Sequence, residues 1–378
     1  MKYEYWLFRL KGIGSVKKCK LVNAMGSARA VFEASSSRLQ EITVTVEGRS
    51  GQISYRPLLT SSNLEGIESA KTMVKLEDYE ELLQKGISFT TIHQTNYPKR
   101  LIDIPDPPYG ILYKGELPKD EEKAIAIVGA RLCSEYGKYM AKEFATYLAK
   151  RNIQIISGMA KGIDGISQHY AIENNGYSCG VLGCSVDICY PSEHRNLYET
   201  LQQKGCLLSE FPLKTPPKAP LFPLRNRIIS GLSDAVLVIE AKEKSGTLIT
   251  VDQALEQGRD VYAVPGKLVD ALSYGCNNLI KQGATIVLSP KDLYEELRNG
   301  LSSIPCKEMV YPSYIVRTRS PVEERILELL DSAPLAMEII YQQMEHIELH
   351  DLQLQLMELV LRGDLEQIAG NYFQKKYD

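Results

Sequence analysis

From about residue 86 onward, short apolar runs alternate with longer stretches in which apolar residues recur every three or four positions. Residues 124–128 (AIAIV) are a continuous apolar run of strand length, and residues 136–151 place Met140, Phe144 and Leu148 on one helical face. A second apolar run follows at 153–157, and a helix is expected from Asp164. Further strand-like runs stand at 179–182, 206–208, 235–240, 261–264 and 285–288, with helix-length stretches between most of them. Repeated βα units of this kind imply a doubly wound, mostly parallel α/β sheet covered on both faces, because each crossover must return across the sheet. Residues 86–117 precede this core as a strand, a proline-rich connection and a lead-in strand.

The flanks differ in pattern. In residues 1–85 the apolar positions Trp6, Leu7, Leu10, Val16, Leu21, Val22, Val31 and Phe32 fall at helical intervals, broken by Gly12-Ile13-Gly14. Such a turn between short helices, with Lys11, Lys17, Lys18 and Lys20 around it, is either a helix-hairpin-helix that lets backbone amides approach a phosphate or an ordinary turn with a solvated basic face. Polar clusters between residues 35 and 63 are expected to be loops. Residues 301–319 read as a linker. Residues 320–378 read as three helices (322–330, 337–344, 351–361) and a β-hairpin (363–376), an order that suits a winged helix.

Composition narrows the class. With 378 residues, 44% of them hydrophobic and 24% charged, the chain has the balance of a globular protein of two or three domains. No apolar stretch approaches the ~20 residues needed to cross a bilayer, and the N-terminus lacks a secretion signal, so a cytoplasmic protein is expected. Its eight cysteines are then expected to be reduced thiols. The net charge of −3 hides a gradient: residues 1–100 carry +5, residues 101–300 carry −2 and residues 301–378 carry −6. Attraction for a polyanion belongs to the first two segments. The third expected helix of the C-terminal part has Asp351 and Glu358 but no Lys or Arg, which predicts a protein-contact or self-association role rather than duplex recognition.

Doubly wound sheets bind ligands beyond the carboxyl ends of their strands. There the sequence offers Gly129-Ala130-Arg131, then SGMAKGID with Ser157, Gly158, Lys161 and Gly162, where glycines permit tight turns and a helix N-terminus attracts an anion. Arg131 and Lys161 would add charge-assisted contacts. Residues 211–234 carry five prolines and deliver Phe222, Arg225, Asn226 and Arg227 to the start of an apolar helix, with Lys218 near the same groove. Arginines flanking an asparagine beside an aromatic combine phosphate neutralisation with a stacking surface, the pairing expected for single-stranded nucleic acid. Asp234 or Glu240 could offset these arginines internally. Ser245 and Gly246 open another helix, and Lys267 follows a strand in VPGK.

Several chemistries are excluded. GxGxxG is absent after the first strand of the core, and VPGK is no phosphate loop because Leu268 stands where Ser or Thr would hold magnesium. HIELH lacks the zincin glutamate, and Cys179, Cys184 and Cys189 are not spaced as CxxC. No catalytic set assembles from spacing, and no metal or cofactor is expected.

IAIVGAR, SGMAKGIDGISQH, YPSEHRNL, SEFP, FPLRNRIISGLSDAVLVIEAKEKSGTLIT, ALEQGRDVYAVPG and GCNNLIKQGA stand in an order and spacing similar to the DNA-processing protein A (DprA, or Smf) family. The resemblance is strong over residues 86–297. It implies an extended Rossmann-like domain (86–300) that binds single-stranded DNA, a sterile-alpha-motif-like helical domain (1–85) and a winged-helix-like domain (320–378). It also implies a homodimer that protects incoming DNA and helps load the RecA recombinase during natural transformation. Carried over by motif, Arg131, Lys161, Phe222, Arg225, Asn226 and Arg227 are the candidates for DNA contact, with amides at Gly158 and Gly246 capping backbone oxygens; Asn226 and Arg227 have an alternative role in orienting the loop. Alanine at 130, where the family often has serine, removes one hydroxyl. The rival is an enzyme similar to Rossmann-like nucleotide phosphoribohydrolases with Glu240 as its carboxylate, although the PGG before SGT is lacking. Pairing of Glu240 with Arg225 or Arg227 is the alternative to that role.

Overall fold

The computed structural model describes residues 1–47, 53–73, 78–299, 321–330, 334–344, 347–361, 365–368 and 371–375. The expected linker at 301–319 lies outside them. The chain divides into two compact units: Met1–Val44 with Arg56–Pro305, and Thr45–Tyr55 with Cys306–Asp378.

The chain opens with helices α1 (Lys2–Arg9), α2 (Ser15–Met25), α3 (Ala28–Glu33) and α4 (Ser36–Gln40). After these come strands β1 (Thr43–Glu47) and β2 (Ile53–Pro57), which pair as a two-stranded ribbon, and helices α5 (Ser61–Met73) and α6 (Asp78–Gln84). The loops expected between 35 and 63 are thus largely regular structure. Ser35 there acts as a helix cap, accepting from the Arg38 amide, as Ser27 does for α3 by accepting from the Ala30 amide. TVTVE has the period-two alternation of a strand. Trp6, Leu7, Leu21 and Phe8 share a buried cluster with Phe89, Leu112, Met159 and Leu207, so the helical segment and the sheet are packed through one core.

Nine strands form the sheet: β3 (Ser88–Thr91), β4 (Gly110–Gly115), β5 (Ala124–Gly129), β6 (Gln154–Ser157), β7 (Ser178–Val181), β8 (Cys206–Ser209), β9 (Ala235–Ile239), β10 (Asp260–Ala263) and β11 (Thr285–Ile286). Their spatial order is β11-β10-β9-β5-β6-β7-β8-β4-β3. The seven strands from β11 to β8 are parallel; β4 and β3 add an antiparallel edge. Between the strands lie α7 (Glu135–Ala149), α8 (Ile163–Glu173), α9 (Arg195–Lys204), α10 (Leu221–Gly231), α11 (Gly246–Glu256) and α12 (Tyr274–Lys281), and α13 (Pro290–Asn299) follows β11. Side chains of β5 alternate between the two faces. Ala124, Ala126 and Val128 pack with Ile228 and Val251, while Ile125 and Ile127 pack with Phe144 and Leu148 of α7. The molecule is therefore a doubly wound, Rossmann-like α/β fold.

In the second unit, α14 (Pro321–Leu329), β12 (Leu335–Ala336), α15 (Met337–Gln342), α16 (Leu349–Leu361), β13 (Leu365–Ile368) and β14 (Tyr372–Lys375) enclose a small core around Ile326, Leu352, Leu356 and Phe373. The three strands are antiparallel. Among the described residues, no helix is long and apolar enough to cross a membrane.

Candidate nucleic-acid interface

Strands β5 to β8 progress toward one edge of the sheet, whereas β9 lies against the other side of β5 and β10 and β11 continue away from it. Loops leaving β5 and β9 therefore diverge and open a crevice between them. A cleft of about 660 Å³ occupies this place. Gly129 and Arg131 line it from the β5 loop; Phe222, Arg225 and Asn226 from α10; and Lys242, Lys244, Ser245 and Gly246 from the β9 loop and the start of α11. Local chemistry sets each wall. Ser134 caps α7 by accepting from the Gly137 amide, and Ser245 caps α11 by accepting from the Thr247 amide. Gln253 and Gln257 on α11 donate to the Pro223 and Arg227 carbonyls and tie α11 to α10.

Three exposed cations, Arg131, Lys242 and Lys244, stand on the walls. The Arg131 guanidinium lies 5.5 Å from the Phe222 ring centroid, and Phe222 stacks on Tyr190 with centroids 5.7 Å apart and planes 29° apart. A side pocket of about 90 Å³, also bounded by Lys161 and Gly183, continues past this stack. Gly183 is required there, since a Cβ would enter the Phe222 ring. Cations around an aromatic face can hold phosphate oxygens while a base stacks.

The other expected contacts differ. Ser157 is buried and donates to the Ile127 carbonyl at 2.6 Å. The Gly158 amide donates to the Asp164 carboxylate at 3.1 Å and the Met159 amide to Gln168, so these two donors are spent internally rather than on an anion. Gly162, at φ +77°, lets the start of α8 approach the Ala130 and Arg131 carbonyls, and Ile163 N–H donates to Ala130 at 3.2 Å. Arg225 borders the cleft but is only 4% exposed; it donates to the carbonyls of Gly158 and Val181 and to Asn226 Oδ1. Burial lowers its pKa to about 10 despite the facing Asp164, whose own pKa burial raises against the pull of Arg225. Arg225 is thus a structural cation instead of a free phosphate ligand. Arg227 turns away to Glu210 and Asp106. The counterions are therefore Asp164, Glu210 and Asp106, not Asp234 or Glu240: Asp234 meets Arg100, and Glu240 meets Ser134. Lys161 is exposed and paired with Glu193. Lys218 and Lys267 are exposed on neighbouring loops outside the lining. Gly246 has open space above its Cα.

Tyr190, Lys242 and Lys244 escape the sequence reading. An aromatic preceding Pro191 and lysines alternating with acids in EAKEK were visible signals, but only the fold brings them opposite Arg131.

Comparison with known proteins agrees with the motif resemblance. The profile of the DNA recombination-mediator protein A family matches residues 88–298. The chain is 45% identical over 210 residues to Protein Smf of Escherichia coli (strain K12), covering 55% of this chain and 56% of that protein, and so spans little more than half of that relative's length. It is 38% identical over 250 residues to DNA processing protein DprA of Bacillus subtilis (strain 168), covering 64% of this chain and 84% of that protein. The crystal structure of DNA processing protein A from Streptococcus pneumoniae superposes with a TM-score of 0.67 at 30% identity, over 78% of this chain and 98% of that one. DNA processing protein A from Helicobacter pylori, studied for its single-stranded DNA binding mode, gives a TM-score of 0.52 at 27% identity, over 56% of this chain and 97% of that one. With the profile covering more than half of its residues and the strand-end motifs gathered at one crevice, the chain belongs to the DNA recombination-mediator protein A family.

Proposed function

We propose that this protein binds single-stranded DNA in the crevice between β5 and β9 and acts, without catalysis, as a recombination mediator. The observation that carries the reading is the juxtaposition of Arg131, Lys242 and Lys244 with the Phe222–Tyr190 stack. Phosphates are neutralised by the cations, and any base offers a face to the rings, so binding is tolerant of sequence. Membership of the family and the DNA binding of the Helicobacter pylori relative support the same reading. The rival enzymatic reading loses its carboxylate, because Glu240 is buried against Ser134.

In this proposal the protein is a cytoplasmic homodimer that protects incoming DNA and hands it to RecA during natural transformation. Residues 1–85 act as the sterile-alpha-motif-like module, 86–300 as the DNA-binding domain and 320–378 as a winged-helix-like module that contacts protein. Consistent with that last role, α16 presents Leu354 and Met357 at its surface. The test is a titration of the full chain with oligo(dT) and with duplex DNA at two salt concentrations, without nucleotide. Tight oligo(dT) binding that weakens steeply with salt is expected; failure to bind unpaired DNA at low salt overturns the proposal.

A further inference from the structure

We infer that Glu240 is the positioning residue that sets Arg131 in the crevice, clamping the Arg131 loop at both ends from one buried, backbone-strained position. This rests on the proposed reading of the crevice as a DNA site and names the part that orients it. Glu240 directly follows β9 and is 3% exposed. Its backbone carbonyl accepts from the Ala130 amide at 2.9 Å, just before Arg131. Its carboxylate accepts from the Ser134 amide at 2.9 Å and from the Ser134 hydroxyl, three residues after Arg131. Residues 131–133 are therefore suspended between two anchors that belong to the same residue.

Two features show that the site is shaped around this side chain. Glu240 has φ +59°, a left-handed conformation that glycine adopts freely and a glutamate does not. Gly137, in the first turn of α7, leaves room for the carboxylate: a Cβ there would lie 2.5 Å from its carboxyl carbon. The carboxylate thus lies across the N-terminus of α7, where the helix dipole favours negative charge. Glu240 also stands two residues before Lys242, but its bonds run only to the two ends of the Arg131 loop. It does not line the cleft, and it acts only through the loops it holds.

A double-mutant cycle tests this by oligo(dT) affinity at fixed salt, with Arg131→Ala, Glu240→Gln and their combination. Glu240→Gln keeps an acceptor but loses the charge-assisted bonds, and Ser134→Ala removes the hydroxyl half of the same anchor should Glu240→Gln fold poorly. Glu240→Gln or Ser134→Ala is expected to weaken binding about fivefold in the parent and to have no further effect once Arg131 is alanine. Hydrogen exchange at the Ser134 amide should accelerate in both variants. Equal losses with and without Arg131, or no loss where Arg131→Ala weakens binding, overturn the positioning role. If Arg131→Ala itself leaves affinity unchanged, the assignment of the crevice as the DNA site falls first, and this inference falls with it.

Discussion

Two glycine turns at neighbouring strand ends look alike in sequence and behave oppositely in the fold. In the turn after β6, SGMAKGID, the amides of Gly158 and Met159 are taken by Asp164 and Gln168, and Arg225 closes over the Gly158 carbonyl. Beside it, the loops after β5 and β9 hold their own ends together through Glu240 and leave Arg131, Lys242 and Lys244 on the cleft walls. Backbone amides are spent internally in both places, and what separates a structural turn from a ligand cradle is where the cations end, Arg225 inside and Arg131, Lys242 and Lys244 on the walls. Among the lysines near Gly12-Ile13-Gly14, Lys11 and Lys20 are exposed while Lys18 turns inward and donates to the Phe8 carbonyl at 2.5 Å.

If the turn after β6 is closed, its arginine matters to stability before it matters to DNA. Arg225→Leu would leave Asp164 buried without its facing cation, and a loss of about 3 kcal/mol in urea unfolding is expected. Adding Asp164→Asn should recover part of that loss, because the uncompensated carboxylate is then gone. Unchanged stability with lost DNA affinity would make this turn part of the open surface.

Arg131 should show the reverse split. Charge reversal by Arg131→Glu is expected to lower oligo(dT) affinity about thirtyfold at low salt with the melting temperature unchanged, since the side chain is exposed. Arg131→Ala should lower the slope of log affinity against log salt by about one. Ser157→Ala, in the closed turn, should leave affinity unaltered.

Lys18 sharpens the contrast through pH. Burial lowers its pKa from the ordinary 10.5 to about 8, with Glu210 pulling the other way. Between those values the unfolded chain keeps a proton that the folded chain has released, so folding stability rises with pH across that window and is flat, for this group, below it. The gain has an upper size of about 3 kcal/mol. Unfolding midpoints measured from pH 7 to 10 should rise less in Lys18→Met than in the parent; equal pH profiles would place Lys18 in solvent with Lys11 and Lys20.

Legibility in the sequence follows the same division. Strands such as AIAIV, buried on both faces, are written in continuous apolar runs, and the crevice follows from their order. Arg131 and Phe222 were visible because their chemistry is local. Arg225 and Arg227 sit two residues apart on one helix, yet one turns to Gly158 and the other to Glu210, a choice made by tertiary partners that sequence spacing does not encode. Ser35 opens the stretch that reads as loop and yet caps α4, because serine serves both roles.

The smallest effect separates the two turns at their shared edge. Lys161 belongs to the closed turn by sequence, yet its side chain is exposed and reaches the side pocket beside Arg131. Its partner Glu193, whose pKa the hydrogen bond from Lys161 lowers, occupies the cation much as a phosphate oxygen would. A DNA phosphate arriving there must displace that carboxylate, and exposed ion pairs are weak enough to be exchanged. Glu193→Gln should therefore raise oligo(dT) affinity about twofold at low salt, the opposite sign to every substitution on the open walls, with the gain fading as salt screens the pair. An affinity that falls, or a gain that survives in Lys161→Gln, would remove Lys161 from the DNA path and leave the crevice walls as its whole extent.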